Sequence, residues 1–291
     1  MTEGETIPPA AESQSDLQPG LYVTATPIGH SRDITLRALE ILKSCDVIAA
    51  EDTRVTAKLL SIHGISKPLL AYNDHNAALE RPKLLARLRK GGRIALVSDA
   101  GTPLISDPGY KLVRDAVADG ASVHAIPGAC AALAALSVAG LPTDRFLFAG
   151  FPPSRSGERR TFLSELKSVR TTLIFYESPQ RLSESLLDMA AVLGSRPAAV
   201  GRELTKFHED IRRGALDELA KSYADPPKGE ITIVVGPPAK QVPDYAQADR
   251  LLDSALAFMP VRAAADLVAD ALKMPRRETY ERALARRALQ E

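Results

Sequence analysis

Acids and bases in this chain gather where apolar runs break off, positions from which side chains can hold a ligand or move a proton. The longest such stretch is Ser98-Asp99-Ala100-Gly101-Thr102-Pro103-Leu104-Ile105-Ser106-Asp107-Pro108-Gly109, which follows the apolar run 94–97. Gly101 lets another group approach the main chain, and Pro103 stiffens the turn. Asp107-Pro108 has the form of a helix start, with the carboxylate as cap and proline at the first helical position. A long loop that carries two carboxylates and leaves a core strand points to a ligand rather than to a tight structural turn. Glu51-Asp52-Thr53-Arg54 follows the run 47–50 and is more than a core needs, although Asp52 or Thr53 would equally serve as a helix cap. Asn73-Asp74-His75-Asn76 follows residues 69–72, with His75 either a substrate contact or a capping or surface histidine. Glu177-Ser178-Pro179-Gln180-Arg181 and Thr205-Lys206-Phe207-His208-Glu209 close two later apolar runs.

The elements that must position these residues are short. Strands are expected at 21–23, 47–50, 69–72, 94–97 and 123–126, with helical patterns between them and Asp33 near the start of the first helix. Pro127-Gly128-Ala129-Cys130-Ala131-Ala132 opens a helix whose first turns are almost wholly small, which lets main-chain amides meet a bound group or lets the helix pack closely on a sheet. Leu141-Pro142-Thr143-Asp144 interrupts the pattern. Beyond it, strands are expected at 146–151, 171–176, 198–204, 211–214 and 230–235, with a flexible basic loop at 152–160. The result is an α/β protein with domains at 20–142 and 143–238, preceded by a disordered leader at 1–19. From 245 to 291 the pattern is helical. Ala264, Leu267, Val268, Ala271 and Leu272 share one face, Met274-Pro275 breaks it, and a second helix carries Tyr280, Ala283 and Leu284 among arginines. Two such helices form a hairpin like a helix-turn-helix, or else a solvated appendage or dimer prop.

Composition excludes several classes. The 37 basic and 36 acidic residues nearly cancel. The first 20 residues hold four acids and no base, leaving 37 basic against 32 acidic on the rest, a mildly basic body compatible with RNA. Cys45 and Cys130 are far apart and have no neighbouring ligand pattern, so both are read as free thiols in a reducing compartment and no metal is expected. No apolar run is long enough to span a bilayer, and no signal pattern opens the chain, so a soluble cytoplasmic protein is expected. Neither a Gly-x-Gly-x-x-Gly after a strand nor a P-loop is present.

The set Thr26-Pro27-Ile28-Gly29, Ala50-Glu51-Asp52-Thr53-Arg54, the 98–109 loop, Pro127-Gly128, Phe175-Tyr176-Glu177-Ser178 and Glu203-Leu204-Thr205-Lys206 resembles the bacterial 16S rRNA ribose 2'-O-methyltransferases of the tetrapyrrole methylase-like superfamily. The likeness runs in order from about 21 to 236 and extends to the helical tail, while His30-Ser31 departs from the Asn-Leu usual there. The resemblance implies a two-domain tetrapyrrole methylase-like fold with S-adenosylmethionine (SAM) in the inter-domain cleft, a small C-terminal helical domain, and a homodimer acting on 16S rRNA in the small ribosomal subunit. It also implies cofactor contacts at Pro27, Ala100, Gly101, Thr102, Ile105, Cys130, Ala131, Tyr176, Glu230, Ile231 and Thr232.

A sulfonium methyl is already electrophilic, so such a reaction depends chiefly on in-line positioning of the acceptor oxygen. A ribose hydroxyl is a poor nucleophile and gains from a group that orients it or takes its proton. On that footing Lys206 and Glu177 are expected to orient the hydroxyl, and Asp52 or His75 to help with the proton. Arg54, Arg159, Arg160, Arg181, Arg212, Arg213, Arg276 and Arg277 are expected to contact RNA. A tetrapyrrole C-methyltransferase and a non-catalytic SAM- or RNA-binding module in ribosome assembly are the rivals. The basic stretches weigh against the first, and the clustered strand-end acids and bases weigh against the second.

Overall fold

Branched and small apolar residues build two five-stranded sheets in the computed structural model, which describes residues 17–239 and 244–289. The first contains β1 (Gly20–Thr24), β2 (Val47–Ala50), β3 (Leu69–Ala71), β4 (Arg93–Val97) and β5 (Val123–Ile126), all parallel and in the order β3-β2-β4-β1-β5. Side chains alternate across it as a pleat requires. Tyr22, Ile48, Ala50, Ala95 and Val97 pack on one face with α1 (Leu36–Ser44) and α2 (Thr53–Ile62). Leu21, Val47, Ala49, Ile94 and Leu96 pack on the other with α3 (Ala77–Arg89) and α4 (Tyr110–Ala118). Because the strands are parallel, their carboxyl ends and the polar loops that follow share one edge.

After β5 the chain enters α5 (Ala131–Ala139), a helix of alanines and leucines that lies on the second sheet, not the first. That sheet holds β6 (Phe146–Phe148), β7 (Thr172–Glu177), β8 (Pro197–Arg202), β9 (Asp210–Ala215) and β10 (Ile231–Val235), in the order β6-β7-β10-β8-β9. Only the β6–β7 pair is parallel. Ile174, Tyr176, Ala199 and Val234 face α5. Leu173, Phe175, Val200 and Ile233 face α6 (Ser156–Leu166), α7 (Leu182–Leu193) and α8 (Leu216–Ser222). Packing is therefore continuous across residues 142–143, and the described residues up to 238 form one compact unit.

Among its described residues the second unit, 239–291, contains three helices, α9 (Tyr245–Leu256), α10 (Val261–Leu272) and α11 (Arg276–Ala288), rather than the expected two. Asp244 caps α9 by accepting from the Gln247 amide, and Ala248, Leu252 and Leu256 complete a core with Ala264, Ala265, Val268 and Ala283. Leu267 and Leu284 are exposed, because small alanines at 265, 269 and 283 let the helices meet closely. Arg282 bridges to Asp249 at 2.7 Å and Arg286 bonds Asp253, tying α11 to α9.

Three local expectations change or sharpen. The leader 1–19 lies outside the described residues as far as residue 16, but Leu17 packs against the first core and the Gln18 carbonyl accepts from the Tyr22 hydroxyl at 2.7 Å. The first helix starts at Leu36, three residues after Asp33, and is capped by Thr35, whose hydroxyl accepts from the Ala38 amide. The basic loop is helical from Ser156, and Arg159 is 1% exposed, so it is withdrawn from the RNA contacts. Its guanidinium lies 2.7 Å from Asp188, which also accepts from Ser156 and Arg160. Burial alone would push Asp188 up, but the bonds from Arg160, Ser156 and Arg159 outweigh it and hold the carboxyl below its usual range. Among the described residues no helix is long and apolar enough to cross a membrane.

Asp188→Ala strands a buried guanidinium and should lower unfolding free energy by about 3–5 kcal/mol. Urea denaturation checks this, and an Arg159→Met/Asp188→Leu double variant should recover most of the loss.

Candidate functional site

The loops after β1, β4 and β5 are stitched together by their own backbones. Thr26 and Gly101 exchange both main-chain bonds, at 2.9 and 3.1 Å, and the Thr102 hydroxyl donates to the Ala129 carbonyl at 3.0 Å. Gly101 has φ 82°, and a Cβ there would stand 3.4 Å from Ile28 Cγ2. A cavity of about 370 Å³ lies between these loops and the second sheet, within the range of small-molecule sites. Ala100, Gly101, Thr102 and Ile105 line it from the central loop, Cys130 and Ala131 from the start of α5, and Tyr176, Glu230, Ile231 and Thr232 from the second sheet. Thr232 stands opposite Tyr176 in the β7–β10 register, which brings those two expected residues side by side. The Tyr176 hydroxyl accepts from the Ala132 amide at 3.2 Å, and burial pushes its pKa up. Pro27 does not line the cavity, and its neighbour Ile28, in the bend that follows, does.

The central loop departs from its expected form at Asp107. The helix begins at Tyr110, Gly109 is its cap residue with φ 131°, and the Asp107 carboxylate lines the cavity. Leu104 and Ser106 hold φ 74° and 67°, left-handed values that cost roughly 1–2 kcal/mol each for residues with a Cβ. Sequence reasoning took Asp107 for a cap because Asp-Pro is a standard helix opening, and nothing local signals the left-handed turns before it. Burial pushes Asp107 up to about 6, with the Ser98 hydroxyl opposing and the charges of Glu51 and Asp99 adding. Burial likewise raises Glu51, which accepts from the Asp99 amide at 3.3 Å, and Asp99, which accepts from the Asp52 amide at 2.9 Å. Both line the same cavity. Glu51 was legible only as the neighbour of Asp52.

The four expected catalytic residues separate. Glu177 lines the cavity, but its buried carboxylate is engaged by Arg181 at 2.6 Å, by the Ser178 amide at 2.7 Å and by the Ser185 hydroxyl. Lys206 lies behind the rim, clamped by Glu203 at 2.8 Å and Glu230 at 2.9 Å. Burial would lower its pKa, but the two glutamates outweigh that and raise it. Asp52 caps α2 by accepting from the Arg54 amide at 2.8 Å, and its ion pair with Arg54 holds its carboxyl at about 2. Asp52, Arg54 and His75 line a second, more open cavity of about 440 Å³. The two cavities adjoin, because Glu51 lines both and Asp107 and Pro108, consecutive in the chain, line one each.

The remaining basic expectations differ in exposure. Arg54 is 89% exposed at the second cavity, and Arg276 and Arg277 are exposed on α11 beside Asp270 and Glu281. Arg160 is held by Asp188 and Arg181 by Glu177. Arg212 pairs with Asp210 over the Tyr223 ring, and Arg213 donates to the Val138 carbonyl. The His30 ring accepts from the Arg32 amide, and the His30 amide donates to Thr205. Cys45 and Cys130 are free, and among the described residues no group of three or more His, Cys, Asp or Glu is placed to hold a metal ion.

Asp107 makes stability depend on pH. Its folded pKa of about 6 lies above the ordinary 3.8, so the folded state binds more protons between those values and loses stability as pH rises through them. The loss comes to about 1–2 kcal/mol once partial exposure is discounted. Asp107→Asn should therefore raise the melting temperature at pH 8 and leave it nearly unchanged at pH 4, as thermal scans at the two pH values would show.

Residues 20–220 match the family described as Tetrapyrrole (Corrin/Porphyrin) Methylases, and residues 242–287 match the RsmI C-terminal HTH domain. Among curated relatives, the ribosomal RNA small subunit methyltransferase I of Mesorhizobium japonicum is 52% identical over 271 residues, 92% of each chain. That of Escherichia coli O157:H7 is 46% identical over 278 residues, 94% of this chain and 97% of its own. Among solved structures, diphthine synthase superposes with a TM-score of 0.59 at 17% identity, covering 74% of this chain and 89% of that one. The uroporphyrin-III C-methyltransferase of Thermus thermophilus complexed with S-adenosyl homocysteine gives 0.53 at 20% identity, covering 74% and 96%. At these identities the structures speak for the fold alone, which is the two-sheet arrangement described above. With relatives of about half identity along nearly its whole length, the chain belongs to the tetrapyrrole methylase family, in its ribosomal RNA small subunit methyltransferase I branch.

Proposed function

We propose that this chain transfers the methyl group of SAM to the ribose 2'-hydroxyl of a cytidine in the decoding region of 16S rRNA, as a cytoplasmic homodimer. The relatives' names support the rRNA substrate, and the family resemblance supports the nucleotide, the 2'-oxygen, the homodimer and the compartment. The observation that carries the reading is the pair of adjoining cavities. One is walled by main chain and small side chains, and the other is edged by Arg54, Asp52 and His75.

The first cavity fits the cofactor. Gly101 leaves the main chain open, Ile28, Ile105 and Ile231 offer apolar wall, and Glu51, Asp99 and Asp107 supply the negative potential that a sulfonium cation favours. Ala100–Thr102, Cys130, Ala131 and Thr232 would hold it, and when bound it supplies a methyl on positively charged sulfur. The chain's own residues then act by placement. Glu177 and Lys206, their charges engaged by neighbours, hold the rim in shape. Arg54 at the second cavity, with Arg276 and Arg277 on α11, would meet phosphates in a salt-dependent way.

Incubation with methyl-labelled SAM and either small ribosomal subunits, free 16S rRNA or a porphyrinogen tests the reading. Label should enter rRNA in a form that blocks alkaline cleavage at one cytidine. Label in the porphyrinogen, or in no acceptor, would overturn the proposal. Ala131→Phe fills the first cavity and should weaken SAM binding at least tenfold by calorimetry, while thermal unfolding stays cooperative.

A further inference from the structure

Seven side chains that line the first cavity can gain or lose a proton, namely Glu51, Asp99, Asp107, Cys130, Tyr176, Glu177 and Glu230, and two of them are neutralised by cations. Glu177 is bonded to Arg181, Ser178 and Ser185, and Glu230 to Lys206. The Tyr176 hydroxyl accepts from Ala132, Glu51 from the Asp99 amide, and Asp99 from the Asp52 amide. Asp107, like Glu51 and Asp99, forms no ion pair with a Lys, Arg or His among the described residues, but where those two each accept a main-chain amide, its partner is the Ser98 hydroxyl.

Its place in the fold is equally particular. Asp107 lines the cavity that fits the methyl donor, and Pro108, next in the chain, lines the cavity edged by Arg54 and His75. Asp107 thus lies on the first cavity one residue from the second, and Glu51 lines both. Asp107 is held there by a backbone that has little freedom. Ser106 before it and Gly109 after it have φ 67° and 131°, and a Cβ on Gly109 would stand 2.9 Å from Leu96 Cδ2.

We infer that Asp107 is the group that accepts the proton of the acceptor hydroxyl during methyl transfer. This rests on the methyl-transfer function proposed above. The hydroxyl oxygen forms its bond to the methyl carbon as the carbon–sulfur bond breaks, and the sulfonium leaves as a neutral thioether. The hydroxyl proton passes to Asp107 Oδ, and the carboxylic acid later releases it to solvent. No other reactant is required. A carboxyl poised near 6 is ionised at neutral pH and is a stronger base than an ordinary aspartate. The groups facing it are Glu51 at the end of β2, Asp99 and Ser98 after β4, and Tyr176 at the end of β7. None of these is a cation.

The test uses the full-length protein with small ribosomal subunits under single-turnover conditions at saturating SAM. Wild type should show a methyl-transfer rate that rises with pH to a plateau, with its midpoint near 6. Asp107→Asn should reduce that rate about 10²–10⁴-fold and flatten the profile, with the rate read at SAM saturating for each protein by calorimetry, so that affinity lost with the carboxylate's charge does not enter it. Asp107→Glu should restore part of the rate with a displaced midpoint. If Asp107→Asn folds and keeps its rate within threefold, the proton role is refuted. If it loses SAM affinity tenfold or more yet reaches the wild-type rate at saturation, Asp107 holds the donor instead. Should Asp107→Asn fail to fold, a wild-type profile flat between pH 5 and 8 still rejects the assignment. A wild type that transfers no methyl to rRNA overturns the function itself, which separates the two failures.

Discussion

The cleft depends on one packing relation, the seating of α5 on a sheet to which its own preceding strand does not belong. The helix buries Ala132, Ala135, Leu136 and Ala139 against β7, β8 and β10, and side chains this small let helix and sheet axes approach closely. Gly140 ends the helix in the left-handed conformation, with φ 72°. Because only residues 127–130 separate β5 from α5, Cys130 and Ala131 are placed between the two sheets, where they line the cavity. The amide of Ala132, which has no intrahelical partner in the first turn, is met by Tyr176 from the opposite wall. The small residues therefore serve both close packing and access to main chain, the two uses that composition alone leaves open.

Charge in this molecule divides by partner. Away from the cleft, acids and bases neutralise one another over short distances, as at Arg159 and Asp188, Arg93 and Asp46, or Arg282 and Asp249. At the carboxyl edge of the first sheet, three carboxylates from two strand ends share a half-buried space and bond mainly to backbone amides and a hydroxyl. Desolvation dominates all three, which is why their pKa values rise together. Such an arrangement opposes stability and is retained where a cation or a proton must be received.

Much of the architecture was legible in the chain because parallel strands buried on both faces read as continuous apolar runs, as at 47–50 and 94–97. The small-residue openings at Gly101 and Gly128 were legible too, since few residues other than glycine tolerate such close approach. The errors have a common cause in distance along the chain. Arg159 looked like a free base because its neutralising Asp188 lies 29 positions away. Glu177 and Lys206 looked like reactive groups until Ser185 and Glu230 were seen beside them. Asp107 was misjudged for the opposite reason, since a strong local pattern for capping concealed a turn set by the tertiary fold. The first tail helix was missed although Ala248, Leu252 and Leu256 recur at helical spacing, because the arginines and the Met274-Pro275 break drew the reading to the two helices after it.

The left-handed pair Leu104 and Ser106 sets a limit on how this protein can be hardened. The Leu104 side chain packs on the α3 and α4 face of the first sheet and holds the segment down, while its backbone opposes that position. Glycine at either site would relax the main chain and remove the anchoring or the stiffness with it. A lineage adapting to heat therefore has an easy route to greater endurance here, but one that lets the adjoining carboxylate wander. The cooler-living and hotter-living forms of such an enzyme would be expected to place their added robustness elsewhere, in the helices and sheet faces remote from this turn.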